Sequence, residues 1–339
     1  MWSPAPLPRT LGAALRDVED PRASVRLSAL TDLARHANAS PHAVAAAALA
    51  ALEDASSHVR AHAAAVLGAC ARLADVPPLT RAVDDEDALV RQMALEALGE
   101  IGGADALAVV SRGLADPRPD VRFQALIVVA RGPDPDAAER AVLAGLDDDD
   151  DSIRHIALRA AEERWQRGGP PDAVLERARA RLSDQVAEVR VAAAVLLAEA
   201  GDHAGASVLL DVVEDRSSSR EVEDVRAAIE RAGRVVGPRA SAALERRAFG
   251  AARFFRERHA WSATVALASL GHERAVGEVV RALASRSRGK REVGVAAVGV
   301  AGLSALRARV EQLRAEDRVD PGVADEALSR LDRVHSAPR

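Results

Sequence analysis

The stretch that decides the fold is Asp85 to Gly102, which reads Asp-Glu-Asp-Ala-Leu-Val-Arg-Gln-Met-Ala-Leu-Glu-Ala-Leu-Gly-Glu-Ile-Gly. Val90, Ala94 and Leu98 are spaced four residues apart, so they share one face of a helix. An aspartate before this run can cap the helix start, and the glycines behind it can end the helix. A small residue at Ala94 lets a neighbouring helix come close. The stretch therefore predicts an amphipathic helix that packs against another helix.

Imperfect copies of this stretch recur along the chain. Each has an aspartate, an arginine six residues later, a small residue three after the arginine and an apolar residue seven after it. The six regular copies are Asp20/Arg26/Ala29/Leu33, Asp54/Arg60/Ala63/Leu67, Asp85/Arg91/Ala94/Leu98, Asp116/Arg122/Ala125/Val129, Asp148/Arg154/Ala157/Ala161 and Asp184/Arg190/Ala193/Leu197. A seventh copy, anchored on Arg226, is weak, because Arg220 and Gly233 replace the aspartate and the aliphatic residue. Three further copies keep only the apolar face: Ala266/Leu270, Ala297/Ala301 and Ala327/Leu331.

A second apolar helix precedes each copy, and the arginines recur every 31 to 36 residues. Two helices in such a period predict an all-α solenoid. The motif resembles the HEAT-repeat family in its short bacterial form, the PBS-lyase-like HEAT repeats. The resemblance covers nearly the whole chain and implies a right-handed α-solenoid of about ten two-helix repeats. It also implies a ladder of arginine–aspartate pairs between repeats. Its expected members are Arg26, Arg60, Arg91, Arg122, Arg154 and Arg190, with Asp54, Asp85, Asp116, Asp148 and Asp184.

We expect four segments along the chain. Residues 1–10 are an extended lead-in, 11–216 are six regular repeats, 217–331 are degenerate basic repeats of the same solenoid, and 332–339 are a tail. From Asp84 to Asp151 there are 17 acidic residues and 6 arginines, whereas Arg234 to Arg314 holds 16 basic residues and 6 glutamates. The last repeats lose the aspartate–arginine pair and carry glycines at 233, 294 and 299, so we expect them to be less stable.

The basic last third also collects the aromatic residues, which makes it the expected contact surface. Clustered arginine beside aromatic rings suits a binding surface, although large rings could equally fill an uneven junction between repeats. The candidate contact residues are Arg246, Arg247, Arg253, Phe254, Phe255, Arg256, Arg258, Trp261, Arg286, Arg288, Lys290 and Arg291.

We expect neither a catalytic site nor a cofactor or metal. His58 and His62 have metal-pair spacing but no third ligand, and His272-Glu273 is a single dyad where iron-binding HEAT-repeat hydroxylases need several. The acidic run Asp147–Asp151 lacks the alternating oxygen ligands and the glycine of a calcium loop. Cys70, the single cysteine, is expected to pack in the core. No nucleotide or nucleophile motif is found.

The expected function is a non-catalytic scaffold or adaptor that binds another protein through its concave face, with the basic last third as contact region. The alternative is binding of nucleic acid or another polyanion through the same third, which the acidic body opposes. A HEAT-type lyase or DNA glycosylase ranks behind both. One cysteine, no signal-like start and no long apolar run favour a cytoplasmic protein without membrane insertion. The partner, its affinity, the oligomeric state and the biological process do not follow from the sequence.

Overall fold

The computed structural model describes residues 8–166, 168–217, 219–250 and 259–336, with side chains as far as Asp332. All regular structure in these ranges is helical, and the helices form successive pairs. The first helices of the pairs are α1 (Leu11–Asp17), α3 (Pro41–Ala51), α5 (Val76–Ala82), α7 (Ala104–Arg112), α9 (Pro135–Leu146), α11 (Asp172–Arg181), α13 (Ala206–Val213), α15 (Ser241–Phe249), α17 (Glu273–Leu283) and α19 (Arg307–Ala315). The second helices are α2 (Ala23–Ala34), α4 (Ser57–Cys70), α6 (Ala88–Ile101), α8 (Pro119–Arg131), α10 (Asp151–Arg164), α12 (Ala187–Glu199), α14 (Val222–Val236), α16 (Ala260–Ser269), α18 (Arg288–Ala301) and α20 (Pro321–Ser336).

The opening stretch forms α6, as its spacing predicts. Asp87 caps the helix by accepting a hydrogen bond from the Leu89 amide at 2.9 Å, and Gly102 ends it with φ at 71°. Val90, Ala94 and Leu98 are fully buried. The chain is an all-α repeat solenoid. Second helices pack on their own first helices, as α4 does on α3 and α14 does on α13, and on the second helices of adjacent pairs, as α6 does on α4 and α8. Helix α20 continues through Ser336, into the segment expected to be a tail.

The chain divides into two compact units, residues 1–174 and 175–339. This boundary differs from the change of sequence character near residue 217. The core of each unit consists mainly of alanine, leucine and valine, as the shortage of aromatic residues requires. The division into regular and degenerate repeats therefore stays a prediction about stability.

Glycines allow the second helices to approach closely in both units. A Cβ added at Gly68 would lie 2.8 Å from the Ala97 Cα, and one at Gly233 would lie 2.2 Å from the Ala266 carbonyl oxygen. A Cβ at Gly299 would lie 2.8 Å from the Ala327 Cα. These distances leave no room for a side chain, so the glycines are required where the helices cross. The expectation that glycine merely weakens the last repeats is corrected at Gly233 and Gly299.

The seventh copy has a different register from the one that its arginine suggests. Gly233 and Gly99 take the same position relative to the N-caps of α14 and α6, so Val225 occupies the place of Arg91. Arg226 is exposed and pairs with Glu223 and Glu230 along its own helix. The anchor chosen from the sequence is therefore wrong by one residue.

A ladder of arginine–aspartate pairs joins successive second helices of the first unit. In each rung, arginine Nε and Nη2 donate to the two carboxylate oxygens of an aspartate in the next repeat, over 2.6–2.9 Å. This bidentate geometry is the strongest that arginine offers a carboxylate. The rungs in the described part of this unit are Arg26–Asp54, Arg60–Asp85, Arg91–Asp116 and Arg122–Asp148.

The same side chains also order their own repeats. Arg91 donates Nη1 to the Asp85 carbonyl at 2.9 Å, and the Asp116 carboxylate accepts from the Arg118 amide at 2.9 Å, which starts the turn into α8. Arg154 and Arg190 donate to the carbonyls of the aspartates six residues before them. The pairing of Arg154 with Asp184 stays a prediction.

The ladder carboxylates are held in the charged form. Burial by itself would raise the pKa of Asp85, Asp116 and Asp148, but the arginine hydrogen bond, a backbone amide hydrogen bond and the charge of nearby arginines together outweigh burial and lower each pKa. The hydrogen bond from Arg26 is the main cause of the lowered pKa of Asp54. The charges of the rungs are thereby neutralised within the fold.

Candidate partner-binding surface

The structure distributes the expected contact residues over several environments. Arg253, Phe254, Phe255, Arg256 and Arg258 lie outside the described residues. The exposed cations are Arg246 on α15 and Arg286, Arg288 and Lys290 at the start of α18. Trp261 is half-buried and packs against the core of the second unit, as the packing interpretation expects.

Arg247 is a structural residue, contrary to its expected role as a free contact. Only 8% of its surface is exposed. Its Nε donates to the Val213 carbonyl at 2.8 Å, its Nη2 donates to the Val212 carbonyl at 3.1 Å, and it pairs with Asp215. A guanidinium at these carbonyls satisfies acceptors that the end of α13 leaves open. Arg247 therefore joins two repeats through these contacts.

Arg291 departs from the expectation in the same way. It is 7% exposed, and its Nη1 donates to the Ser285 carbonyl at 2.9 Å, as a ladder arginine does within its own repeat. Its Nε and Nη2 donate to the Arg318 carbonyl of the next repeat at 2.9 and 2.8 Å. Arg291 is thus a ladder arginine whose acceptor is a backbone carbonyl. The search for an aspartate six residues earlier missed it, because Ser285 stands there.

A pocket of about 300 Å³ opens in the second-helix layer of the second unit. We call it the α14 pocket. Its residues come from α12, α14, α18 and α20 and from the turn behind α12. They are Ala198, Glu199, Gly201, His203, Glu230, Arg231, Arg234, Val235, Gly299, Val300 and Arg330.

Arg234 is the distinctive group of the α14 pocket. Its side chain is exposed, and it forms no hydrogen bond or salt bridge with any residue that the structure describes. Loss of hydration between the pocket walls lowers the pKa of Arg234. Glu199 opposes this shift, and the nearby Arg231 and Arg330 add to it. The guanidinium thus reaches solvent but has no anion to replace the water it has lost.

The other charged groups of the α14 pocket are paired. Arg231 pairs with Glu199, and Arg330 Nε donates to Glu326 at 2.8 Å. Glu230 accepts from Ser262 Oγ at 3.2 Å and lies 3.7 Å from Arg226. Arg234 is therefore the one cation of the pocket that is not paired within the described residues and is available to an anion.

A pocket in the same layer of the first unit provides a contrast. It has a volume of about 410 Å³ and lies between α8 and α10. Arg131 pairs with Glu163 at 3.1 Å, Arg159 pairs with Glu162, and Arg164 donates to the Gly132 carbonyl at 2.8 Å. Its arginines are consequently neutralised or engaged by the fold.

The basic turn before α18 is not part of the α14 pocket. Arg288 begins α18, whereas Val300 stands near its end, so about 18 Å of helix separates them. Arg288 also pairs with Glu292 at 3.0 Å. The exposed cations of the turn and the pocket arginines thus form two separate basic surfaces.

The described residues contain no cluster of histidine, cysteine, aspartate or glutamate that could hold a metal. His58 and His62 are both exposed. His272 caps α17 by accepting from the Ala275 amide, and its ring lies 5.7 Å from that of Phe249. Cys70 is half-buried, and burial raises the pKa of its thiol, which disfavours the reactive thiolate.

Sequence reasoning missed the α14 pocket. Arg231 and Arg234 are one turn apart on α14, which is a usable signal for a shared helix face. Arg330 and Val300 come from other repeats, and nothing in the local spacing relates them to Arg234. Their approach depends on how the helices of the second unit stack.

Two overlapping stretches, residues 45–131 and 76–161, match the sequence model for HEAT repeats. The described helices pair as HEAT repeats do, and 251 chains of solved structures resemble the fold. Residues 45–161 therefore match HEAT repeats, and the rest of the described chain continues the same helix-pair fold. No curated protein matches its sequence.

Among solved structures, YibA of Escherichia coli is 16% identical, with 77% of this chain and 92% of YibA covered and a TM-score of 0.57. Kap95p in complex with RanGDP is 15% identical, with 94% of this chain covered and a TM-score of 0.54. This chain spans about half, 51%, of Kap95p. The CpcE–CpcF phycocyanin lyase complex from Nostoc is 19% identical, with 79% of this chain and 97% of that chain covered and a TM-score of 0.40.

None of the helices in the described residues is both long and apolar enough to cross a bilayer.

Proposed function

We propose that this protein is a non-catalytic scaffold that binds a partner protein through the second-helix layer of its second unit. The observation that carries the proposal is Arg234, a solvent-exposed cation without an ion partner among the described residues, set in a pocket beside Val235 and Val300. A charged group beside apolar walls in a concave surface is the usual composition of a recognition site. HEAT-like solenoids also present extended concave surfaces suited to proteins.

The fold comparison gives this proposal a precedent. Kap95p, whose fold resembles this chain, binds RanGDP. The exposed Arg286, Arg288 and Lys290 at the start of α18 extend the proposed contact region beyond the pocket, without sharing its walls.

Site-specific photo-crosslinking in an extract of the native cell tests the proposal. A benzophenone side chain at Val300 lies in the α14 pocket, whereas one at Ala242 lies on the exposed side of α15. We expect a discrete, protease-sensitive crosslinked polypeptide from the Val300 position and none from Ala242. Equal labelling at both positions, or a crosslinked species removed by nuclease, would contradict the proposal and favour the polyanion alternative.

A further inference from the structure

The α14 pocket has an excess of one positive charge. Three arginines and two glutamates line it, and the fold already supplies cations to both glutamates. Arg234 is the remaining cation and forms no ion pair within the described residues. A bound group with a single negative charge would balance the pocket without rearranging its existing pairs.

Apolar walls stand directly beside this cation. Ala198, Val235 and Val300 line the same pocket. The volume of about 300 Å³ is at the lower end of the range for small-molecule sites. The pocket therefore suits one amino-acid residue with an aliphatic side chain better than an extended charged segment.

We propose that the α14 pocket binds the C-terminal carboxylate of a partner polypeptide, with the aliphatic side chain of its last residue against Val235 and Val300. This inference rests on the proposed function and names the part of the partner that the pocket takes. A terminal residue carries its carboxylate and its side chain on the same carbon, so it reaches the guanidinium and the apolar walls together. Arginine can hold a carboxylate through two parallel hydrogen bonds.

Other anions fit less well. A phosphate group near neutral pH carries more negative charge than the single excess cation offers, and Glu199 and Glu230 would repel the remainder. An acidic segment brings several carboxylates, which would meet the same two glutamates. The lowered pKa of Arg234 agrees with an anion that replaces lost hydration.

N-acetyl-L-valine is the simplest probe, because it is a terminal carboxylate with an aliphatic side chain. We would titrate it into the full chain while following the Nε–Hε resonances of the arginines by NMR. Saturable binding should shift the Arg234 resonance, and N-acetyl-L-valinamide should bind about ten-fold more weakly or worse. Arg234→Gln should weaken binding of the acid about ten- to hundred-fold, as expected for loss of a charged hydrogen-bond partner.

Arg239→Gln is the matched control, since Arg239 is exposed in the turn directly behind α14 and does not line the pocket. It should bind the acid as the natural chain does. The melting curves of both variants show whether the fold is intact. Absence of saturation in the millimolar range, equal binding of acid and amide, or tighter binding of inorganic phosphate would overturn the inference.

The partner found by crosslinking at Val300 separates this inference from the proposed function. Removal of its last residues, or amidation of its C-terminus, should abolish crosslinking at Val300. If crosslinking persists after that change, the scaffold function stands and the carboxylate assignment fails. If no polypeptide crosslinks at Val300, the proposed function fails, even where N-acetyl-L-valine binds.

Discussion

Arg91 in the first unit and Arg234 in the second both lie on second helices, but their surroundings differ in kind. Arg91 donates to a carboxylate of the next repeat and to a carbonyl of its own, and the ladder repeats this arrangement. Arg234 faces a pocket and has no described acceptor. The comparison teaches that net charge does not locate a binding surface. What matters is whether the cation already donates hydrogen bonds to an acceptor within the fold.

Arg291 sharpens this lesson because it lies in the basic second unit and yet belongs to the ladder. Its acceptors are carbonyls, so its charge has no carboxylate in the next repeat. It is nevertheless buried by the contact and unavailable to a partner. A basic segment therefore contains both structural and available arginines, and only their contacts tell them apart.

The largest expected effect is that of breaking a rung. Arg91→Ala should lower the free energy of unfolding by about 3 kcal/mol, because it leaves the mostly buried Asp116 carboxylate without its cation. Arg288→Ala is the control, since this exposed side chain pairs along its own helix and its loss should cost within about 0.5 kcal/mol. Urea denaturation of both variants measures the difference. Equal changes would mean that the ladder does not stabilise the first unit.

A second substitution tests whether the second unit is packed as closely as the first. Gly233→Ala should destabilise by about 2 kcal/mol, because its Cβ would lie 2.2 Å from the Ala266 carbonyl oxygen. Gly277 is inside α17 with no atom within 4 Å of an added Cβ, so Gly277→Ala should instead stabilise by up to about 1 kcal/mol. Thermal melting measures both. Stabilisation by Gly233→Ala would show a looser helix crossing.

Acid should affect the two kinds of rung differently. The ladder aspartates have a lower pKa in the folded chain than the ordinary value of about 3.9. Their contribution is complete above that ordinary pKa and is lost as pH falls through the lowered folded pKa. The Arg291 rung is made to a backbone carbonyl and contains no carboxylate. Amide exchange at low pH should therefore rise more around α6 and α8 than around α18. An equal rise would contradict this assignment.

The smallest expected effect concerns stability along the chain near neutral pH. The described repeats within 217–331 show no bidentate arginine–carboxylate rung to the next repeat, so their amides should exchange somewhat faster than those within 20–200. The glycine contribution to this expectation is withdrawn at Gly233 and Gly299, which leaves a modest difference. Hydrogen exchange followed by mass spectrometry of peptides measures it. Uniform protection would show that helix packing, rather than the ladder, sets local stability.

The fold could be predicted from the sequence because its determinants are local and repeated. The spacing around Arg91 places its side chain at the start of α6, and repetition supplies Asp116 at the matching place in the next pair. The pattern anchored on Arg226 predicts a register that is wrong by one residue, because Val225 occupies the ladder position of α14. A pattern that requires both charges cannot detect Arg291, whose acceptor is a backbone carbonyl.

The candidate site could not be predicted in the same way. Arg234 and Val300 belong to different repeats, and their approach results from small rotations added over several helix pairs. No residue type at a fixed spacing in the sequence indicates how large the summed rotation is. The sequence places the expected contact surface in the same half of the chain as the α14 pocket, but it assigns contact roles to Arg247 and Arg291, which are buried.

The most direct test of the account is the exchange rate of arginine Hε protons with water, measured by NMR at one pH and temperature. The account predicts slow exchange for Arg26, Arg60, Arg91, Arg122 and Arg291, whose Nε groups donate within the fold, and fast exchange for Arg234. Comparable rates for Arg91 and Arg234 would contradict the claim that the fold uses one arginine and leaves the other available.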